Sequence, residues 1–352
     1  MLMKIIPSAL NAIGWFLIII LLGVTGQAEG AEQLAYAWRR GARYGLSLAT
    51  MGHREEVLYE GPQRLSTPRW FPRGDAVIFA RDVDGQWQLF RLALADRSLR
   101  QMTTLKGGAD EPRVSPDGRQ VAYRTYIDGV GPTLFVMDAE GDQQRPMTTP
   151  PMTAAPGEWL PGTTVYAFLS EFGGIAQVWL FDAETGRVKR LTGGAQLKSG
   201  IMPSPDGQTL AVHKVLIDVG TGKERRWAAA RPGVVEELAT WNPAGTAMVC
   251  VSNRDKKSYE IYRMNPDGTG EQNLTRHPAF DSFPAWSPEG SLIAFTSGRR
   301  GHGQYEIYTM DPNGDHVRQV THGLFFQFAR PVWRPPTSEP LVGTEAPRKP
   351  VR

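Results

Sequence analysis

The histidines and the acids near them are the residues best suited to chemistry. His277 and His322 follow the apolar–threonine pairs Leu274-Thr275 and Val320-Thr321, so they occupy equivalent places in two copies of one pattern. Two imidazoles with Asp281 or Glu111 would form a donor set suited to a divalent ion. The plainer alternative is that these residues, with Asp110, line a wet channel. His53, His213, His302 and His316 are scattered and supply no third convergent imidazole. The one cysteine, Cys250, lies in an apolar run and reads as a buried free thiol. Asp311-Pro312-Asn313-Gly314 and Asn265-Pro266-Asp267-Gly268 look like calcium loops but lack the full ligand series ending in glutamate. They read as turns, with proline fixing φ and glycine supplying positive φ. No cofactor, catalytic residue or resident metal is expected; the alternative is a metal on His277 and His322.

The elements that must position these residues come from a repeat. Asp281 to Ser297 carries the turn Ser287-Pro288-Glu289-Gly290, which returns as Ser115-Pro116-Asp117-Gly118 and Ser204-Pro205-Asp206-Gly207. Looser copies surround Pro72, Pro161, Pro243 and Pro335, so the marker prolines fall 38 to 47 residues apart. That period, without a helical pattern, predicts propeller blades of four strands. A first strand ends in Trp-x-Pro at Trp70, Trp159, Trp241, Trp286 and Trp333. An apolar second strand and an aromatic-rich third follow. The fourth ends in an apolar residue and threonine, as at Met102-Thr103 and Leu191-Thr192.

The two ends complement each other. The segment 32–62 reads as three strands, Leu34–Arg39, Tyr44–Met51 and Glu55–Glu60, with no tryptophan–proline strand in front. Residues around Trp333 supply a first strand with nothing after it. Pairing them predicts an all-β, seven-bladed propeller over residues 33–335, with no exposed sheet edge at the join. A six-bladed ring is the alternative. Residues 1–28 read as a signal peptide, with Lys4, an apolar stretch and a small-x-small site at Gly26-Gln27-Ala28. An uncleaved anchor is the alternative, although Ala9 to Val24 is short against the about 20 residues of a spanning helix. Residues 336–352 read as a disordered tail.

The chain has 352 residues, is 41% hydrophobic and carries a formal charge of +3, which does not indicate a nucleic-acid partner. In four-stranded blades, the stereotyped turns share one face. The other face carries the variable loops with Asp84, Asp128, Arg299 and Arg300, and the connectors with Asp110, Glu111, His277, Asp281 and His322. Adaptable loops on a rigid scaffold are where binding concentrates, so this face and the adjoining channel mouth are the expected binding surface.

The run Pro284-Ala285-Trp286-Ser287-Pro288-Glu289-Gly290, followed by Ile307-Tyr308-Thr309-Met310-Asp311-Pro312-Asn313-Gly314 and Gln319-Val320-Thr321, resembles the WD40-like propeller repeat of the TolB family. The same repeat type belongs to prolyl oligopeptidase-like proteins and oligogalacturonate lyases. The resemblance implies a periplasmic or secreted interaction module, with an envelope or peptidoglycan-associated protein as partner and membrane contact only through an uncleaved N-terminal segment. TolB itself is expected to carry an α/β domain before a six-bladed propeller. This sequence shows neither, so the resemblance is to the propeller alone. A peptidase of the prolyl oligopeptidase type would need a hydrolase domain with a Gly-x-Ser-x-Gly elbow, which is not present. A metal-dependent lyase of the oligogalacturonate type, with histidines at its channel, and a propeller that binds a small ligand are the alternatives.

Overall fold

The computed structural model describes residues 32–148, 151–172, 175–194, 199–227, 233–255, 258–301, 304–323 and 330–336. The expected signal peptide, His302 and all but the first residue of the expected tail lie outside them. Seven four-stranded antiparallel sheets are present among these residues. Blade 1 comprises Arg69–Trp70, Ala76–Val83, Gln86–Ala93 and Leu99–Gln101. Blade 2 comprises Asp110–Val114, Gln120–Ile127, Gly131–Asp138 and Arg145–Pro146. Blade 3 is Ala154–Trp159, Val165–Phe172, Ile175–Asp182 and Val188–Arg190; blade 4 is Met202–Pro203, Thr209–Val212, Val215–Asp218 and Glu224–Arg226. Blade 5 is Glu236–Trp241, Met248–Ser252, Glu260–Met264 and Gln272–Asn273; blade 6 is Asp281–Trp286, Ile293–Ser297, Glu306–Met310 and Arg318–Gln319.

The seventh sheet closes the ring as the complementary ends require. Val332–Trp333 pairs with Gln33–Arg40 through Leu34–Trp333 and Ala35–Val332, and Arg43–Thr50 and Glu56–Gly61 complete the blade. The Arg334 N–H donates to Gln33 O at 2.7 Å, and its Nε donates to Gly74 O at 2.8 Å. The closing blade is buried against both neighbours. Ala35, Ala37, Leu46 and Leu48 pack with Val77 and Phe79 of blade 1, while Leu34, Tyr36 and Trp38 pack with Ala294 and Ile307 of blade 6. Strand alternation makes this two-sided burial possible, because successive side chains face opposite neighbours.

The repeated residues act locally. Ser115 Oγ donates to Asp117 at 2.6 Å and accepts from the Gln120 N–H at 2.9 Å, while Gly118 takes φ +73. Ser204 and Asp206 repeat the arrangement in blade 4. The threonine ending the fourth strand ties that strand to the third. Thr103 accepts from the Leu89 N–H and donates to Gln88, and Thr192, Thr275 and Thr321 do the same with Val178–Gln177, Ile261–Glu260 and Ile307–Glu306. Each link satisfies a buried donor and a buried acceptor, avoiding a penalty of about 1–3 kcal/mol for leaving either unpaired.

The tryptophans join blade to blade. The indole N–H of Trp159 donates to Arg113 O, that of Trp241 to Met202 O, that of Trp333 to Ala285 O and that of Trp70 to Val332 O, at 2.9–3.2 Å. Each acceptor lies on the innermost strand of the preceding blade. Trp286 departs from the pattern: its buried indole nitrogen has no hydrogen-bond partner. His213 falls in a two-residue hairpin turn with Lys214 because Val212 pairs with Val215, and it takes φ +49.

Candidate functional site

The innermost strand of a blade contributes the residue just before the tryptophan position to the wall of the axial channel. These residues are Arg69, Arg113, Glu158, Met202, Thr240, Ala285 and Val332 in ring order. All but Arg113 line a cavity of about 450 Å³ that reaches the stereotyped turns at Pro243 and Pro288. A second cavity, of about 360 Å³, opens toward the variable face between Leu65, Trp87, Asp110, Glu111 and Arg113. Arg69 and Arg330 line both, so they stand where the two cavities meet. One arc of the channel is charged, and the rest is apolar or hydroxylic.

Bulges aim the side chains. The innermost strands of blades 2, 3, 5 and 6 slip register between Asp110 and Arg113, Ala155 and Glu158, Glu237 and Thr240, and Ser282 and Ala285. An extra residue in one strand bends it and redirects its side chains. Glu111 and Phe283, each the first of the two bulged residues that face one residue of the neighbouring strand, take φ +51 and +52. The second bulged residue is Pro112 in blade 2 and Pro284 in blade 6, which have no N–H to leave unpaired. In blade 3 it is Gly157, whose N–H donates to Tyr166 Oη at 2.8 Å. A Cβ there would stand 1.7 Å from Ala167 O, so only glycine fits.

The charged arc is unevenly satisfied. Arg113 donates to Glu158 at 2.6 Å, to Glu111 at 3.2 Å and to Pro112 O at 3.0 Å. Burial works against its charge, but Glu158, then Tyr166 and Glu111, more than offset this and hold its pKa above the usual value. Arg69 has no comparable partner: among the described residues its guanidinium makes no hydrogen bond and no ion pair. Burial, then the neighbouring Arg113 charge, lowers its pKa to about 10. Burial also lowers the pKa of Arg330, whose guanidinium lies 4.4 Å from the Phe283 ring centroid. Burial tends to raise the pKa of Glu111, but Arg113, Arg69, Arg124 and Arg330 together hold it below its ordinary value.

The sequence-derived candidates separate into distinct places. Asp110 and Glu111 do line the channel mouth, and Asp110 is held in a two-pronged pair by Arg124 at 2.7 and 2.8 Å. Asp281 has no solvent exposure and pairs with Arg299 at 3.3 Å, so neither stands free in a loop. Arg300 pairs with the buried Glu306 at 3.3 Å. Asp84 forms a two-residue turn with Gly85, at φ +53 and +85, between paired Val83 and Gln86. Positive φ at both positions is what this tight hairpin turn requires. Asp128 is an exposed loop residue. The His277 N–H donates to Glu260 at 3.1 Å, and its Nδ1 accepts from the Ala279 N–H at 3.1 Å, giving it a turn-forming role.

His322 is exposed and follows the outermost strand of blade 6, rather than approaching the axis. It lines a peripheral groove of about 520 Å³ with His53, Glu55, Asp311 and His316, and His277 is not part of that groove. Among the described residues no three His, Cys, Asp or Glu side chains cluster in a way that could hold a metal ion. Arg69, Arg113, Glu158, Arg330 and Phe283 escaped the sequence reading. The available signal was the position before each tryptophan, where charge replaces the expected apolar residue in three successive blades.

A family model described as the TolB β-propeller domain matches residues 31–216 and 213–339. The chain belongs to the TolB β-propeller family. A relative named as a TolB homologue, from Chlorobium luteolum, is 28% identical over 265 residues, covering 73% of this chain and 59% of the relative. The chain therefore spans about three-fifths of that TolB homologue's length. Its fold matches TolB from Acinetobacter baumannii with a TM-score of 0.56 and 18% identity, over 86% of this chain and 66% of the other. It also matches an oligogalacturonate lyase solved in complex with manganese, with a TM-score of 0.58 and 18% identity, over 82% and 85% of the two chains. At such identities these likenesses establish the propeller fold and leave activity to the residues of the site.

Proposed function

We propose that this TolB-family propeller is an exported, non-catalytic interaction module. It binds an envelope or peptidoglycan-associated protein on the face that carries the variable loops and the channel mouth. The observation supporting this reading is the charged cavity that opens on that face, beside Glu111 and Arg113. On the opposite face, the stereotyped turns consume their own polar groups, as Ser115 does with Asp117 and Gln120.

Site-specific photo-crosslinking in cells tests this. A crosslinker at Asp84, Asp128 or Arg300 should give a covalent adduct with one envelope protein, and a crosslinker at Asp206 or Glu289 should not. Adducts confined to the second set, or formed only with polysaccharide, would remove the proposal. Stoichiometric metal on the purified chain, lost in a His277→Ala, His322→Ala double variant, would favour the lyase reading instead.

A further inference from the structure

The charges at the junction of the two axial cavities do not balance. Arg69, Arg113 and Arg330 face Glu111 and Glu158, so three guanidiniums against two carboxylates leave one positive charge. Asp110 does not redress this, because Arg124 already neutralises it. Arg113 is fully engaged, and the surplus therefore rests on Arg69 and Arg330. Neither makes a hydrogen bond or an ion pair among the described residues, although each carries a planar fork of N–H donors. A charged group surrounded by protein, as Arg69 is, is ordinarily paired, and a guanidinium left open in a cavity, as those of Arg69 and the more exposed Arg330 are, has the geometry to hold a carboxylate through two parallel hydrogen bonds.

We propose that the neck of the channel is a binding site for one carboxylate on an apolar stem, gripped by Arg69 and Arg330. The single surplus charge suits a monoanion. A phosphate dianion would exceed it and would also meet the repulsion of Glu111 and Glu158. The stem is accommodated by the adjoining cavity, whose wall is rich in Trp241, Phe283, Trp286 and Trp333. A carboxylate entering from the variable face meets the arginines in the smaller cavity of about 360 Å³, within the range of small-ligand sites. This chemistry can come from the C-terminus of an extended polypeptide or from a free aliphatic acid. The site stands whether or not a protein partner docks on the same face.

Isothermal titration of the purified chain at constant ionic strength tests it with four probes. These are acetyl-Ala-Leu-Leu-Ala with a free carboxyl, the same peptide as its carboxamide, hexanoate, and inorganic phosphate. A carboxylate probe should bind one to one and more tightly than both the carboxamide and phosphate. The peptide acid as the tightest probe assigns a polypeptide C-terminus, and hexanoate as the tightest assigns a free acid. Arg69→Gln should weaken the bound probe roughly tenfold to a hundredfold, as loss of a charged hydrogen-bond donor does. Arg330→Gln, at an exposed position, should weaken it in the same direction and serves if the first variant is unstable. Arg225→Gln, on the outermost strand of blade 4, should leave binding unchanged. Failure of every carboxylate to bind, equal binding of acid and carboxamide, tighter binding of phosphate, or unchanged affinity in both channel variants would each overturn the proposal.

Discussion

Arg254 and Arg69 show two different uses of one side chain. Arg254 follows the second strand of blade 5 and is paired: it meets Glu236 at 2.5 Å and Glu271 at 2.7 Å, its Nε donates to Ser252 Oγ at 3.1 Å, and its guanidinium lies 4.2 Å from the Tyr262 ring centroid. Arg299 repeats this in blade 6 with Asp281, Ser297 and Tyr308. In both blades the acid begins the innermost strand and the arginine lies two residues beyond its cross-strand neighbour, Ser252 or Ser297. These pairs fasten the first strand to the second. Arg69 sits on the innermost strand of blade 1, is equally surrounded by protein, and has nothing to fasten. A paired guanidinium belongs to the scaffold, whereas an open one beside a cavity is available to a ligand.

Breaking a buried pair should produce the largest effect. Glu236 has no solvent exposure and Arg254 only 8%, so Glu236→Ala leaves a buried cation short of its partner. The cost should be about 3–5 kcal/mol, read from the shift in urea midpoint. A loss below about 1 kcal/mol would place Arg254 with Arg69 as an open cation and remove the contrast.

Glu158→Gln probes the boundary between the two classes. Glu158 lies in the channel yet holds Arg113 at 2.6 Å, with side-chain exposures of 26% and 11%. Arg113 would keep Glu111 and Pro112 O, so the expected loss is about 1–3 kcal/mol, smaller than at Glu236. A larger loss would make the charged arc part of the scaffold.

Acid titration separates the two regions by sign. Burial raises the pKa of Asp281, despite Ser297 and Arg299, whereas the surrounding arginines hold that of Glu111 down. The Glu111 contribution is present above the ordinary glutamate value of about 4.3 and is lost as pH falls through its lower folded-state value. The Asp281 contribution is present below its ordinary value and is lost as pH rises through its raised folded-state value. Urea midpoints from pH 7 to pH 3 should therefore show Glu111→Gln losing less stability in acid than the parent chain. Asp281→Asn should fall further behind the parent as pH decreases. Parallel curves for the two variants would contradict the opposite electrostatic settings.

How much of this was legible depended on whether a residue acts along the chain or across it. Trp333 and the strands Leu34 to Glu60 revealed the closed ring, because an unpaired strand at each end has one economical solution. The turn serines and strand-end threonines recur at fixed places because their partners lie in their own blade. Asp281 and Arg299 looked like loop charges, since their pairing depends on a cross-strand register shifted by a bulge. His322 was expected near the axis, but the outermost strand it follows leaves it at the rim. Arg69 and Arg113 were hidden because alternation alone does not say which side of an innermost strand faces the channel. Once Trp159 is seen to reach Arg113 O, the residue before each tryptophan marks the channel wall.

The smallest expected stability change is the most discriminating. Arg69→Gln removes a guanidinium that no described residue binds and whose protonated form is disfavoured by burial and by Arg113. Its contacts with the wall are retained in part by the shorter amide, and Arg113 is relieved of a like charge. The urea midpoint should move by no more than about 0.5 kcal/mol in either direction, the range of substitutions that break no structural interaction. Glu236→Ala should move it several times further, although both changes remove one charge from an innermost strand. A loss at Arg69 as large as that at Glu236 would show that its charge supports the fold. A neutral result locates the value of that charge outside the folding equilibrium, where ligand binding is the measurement that registers it.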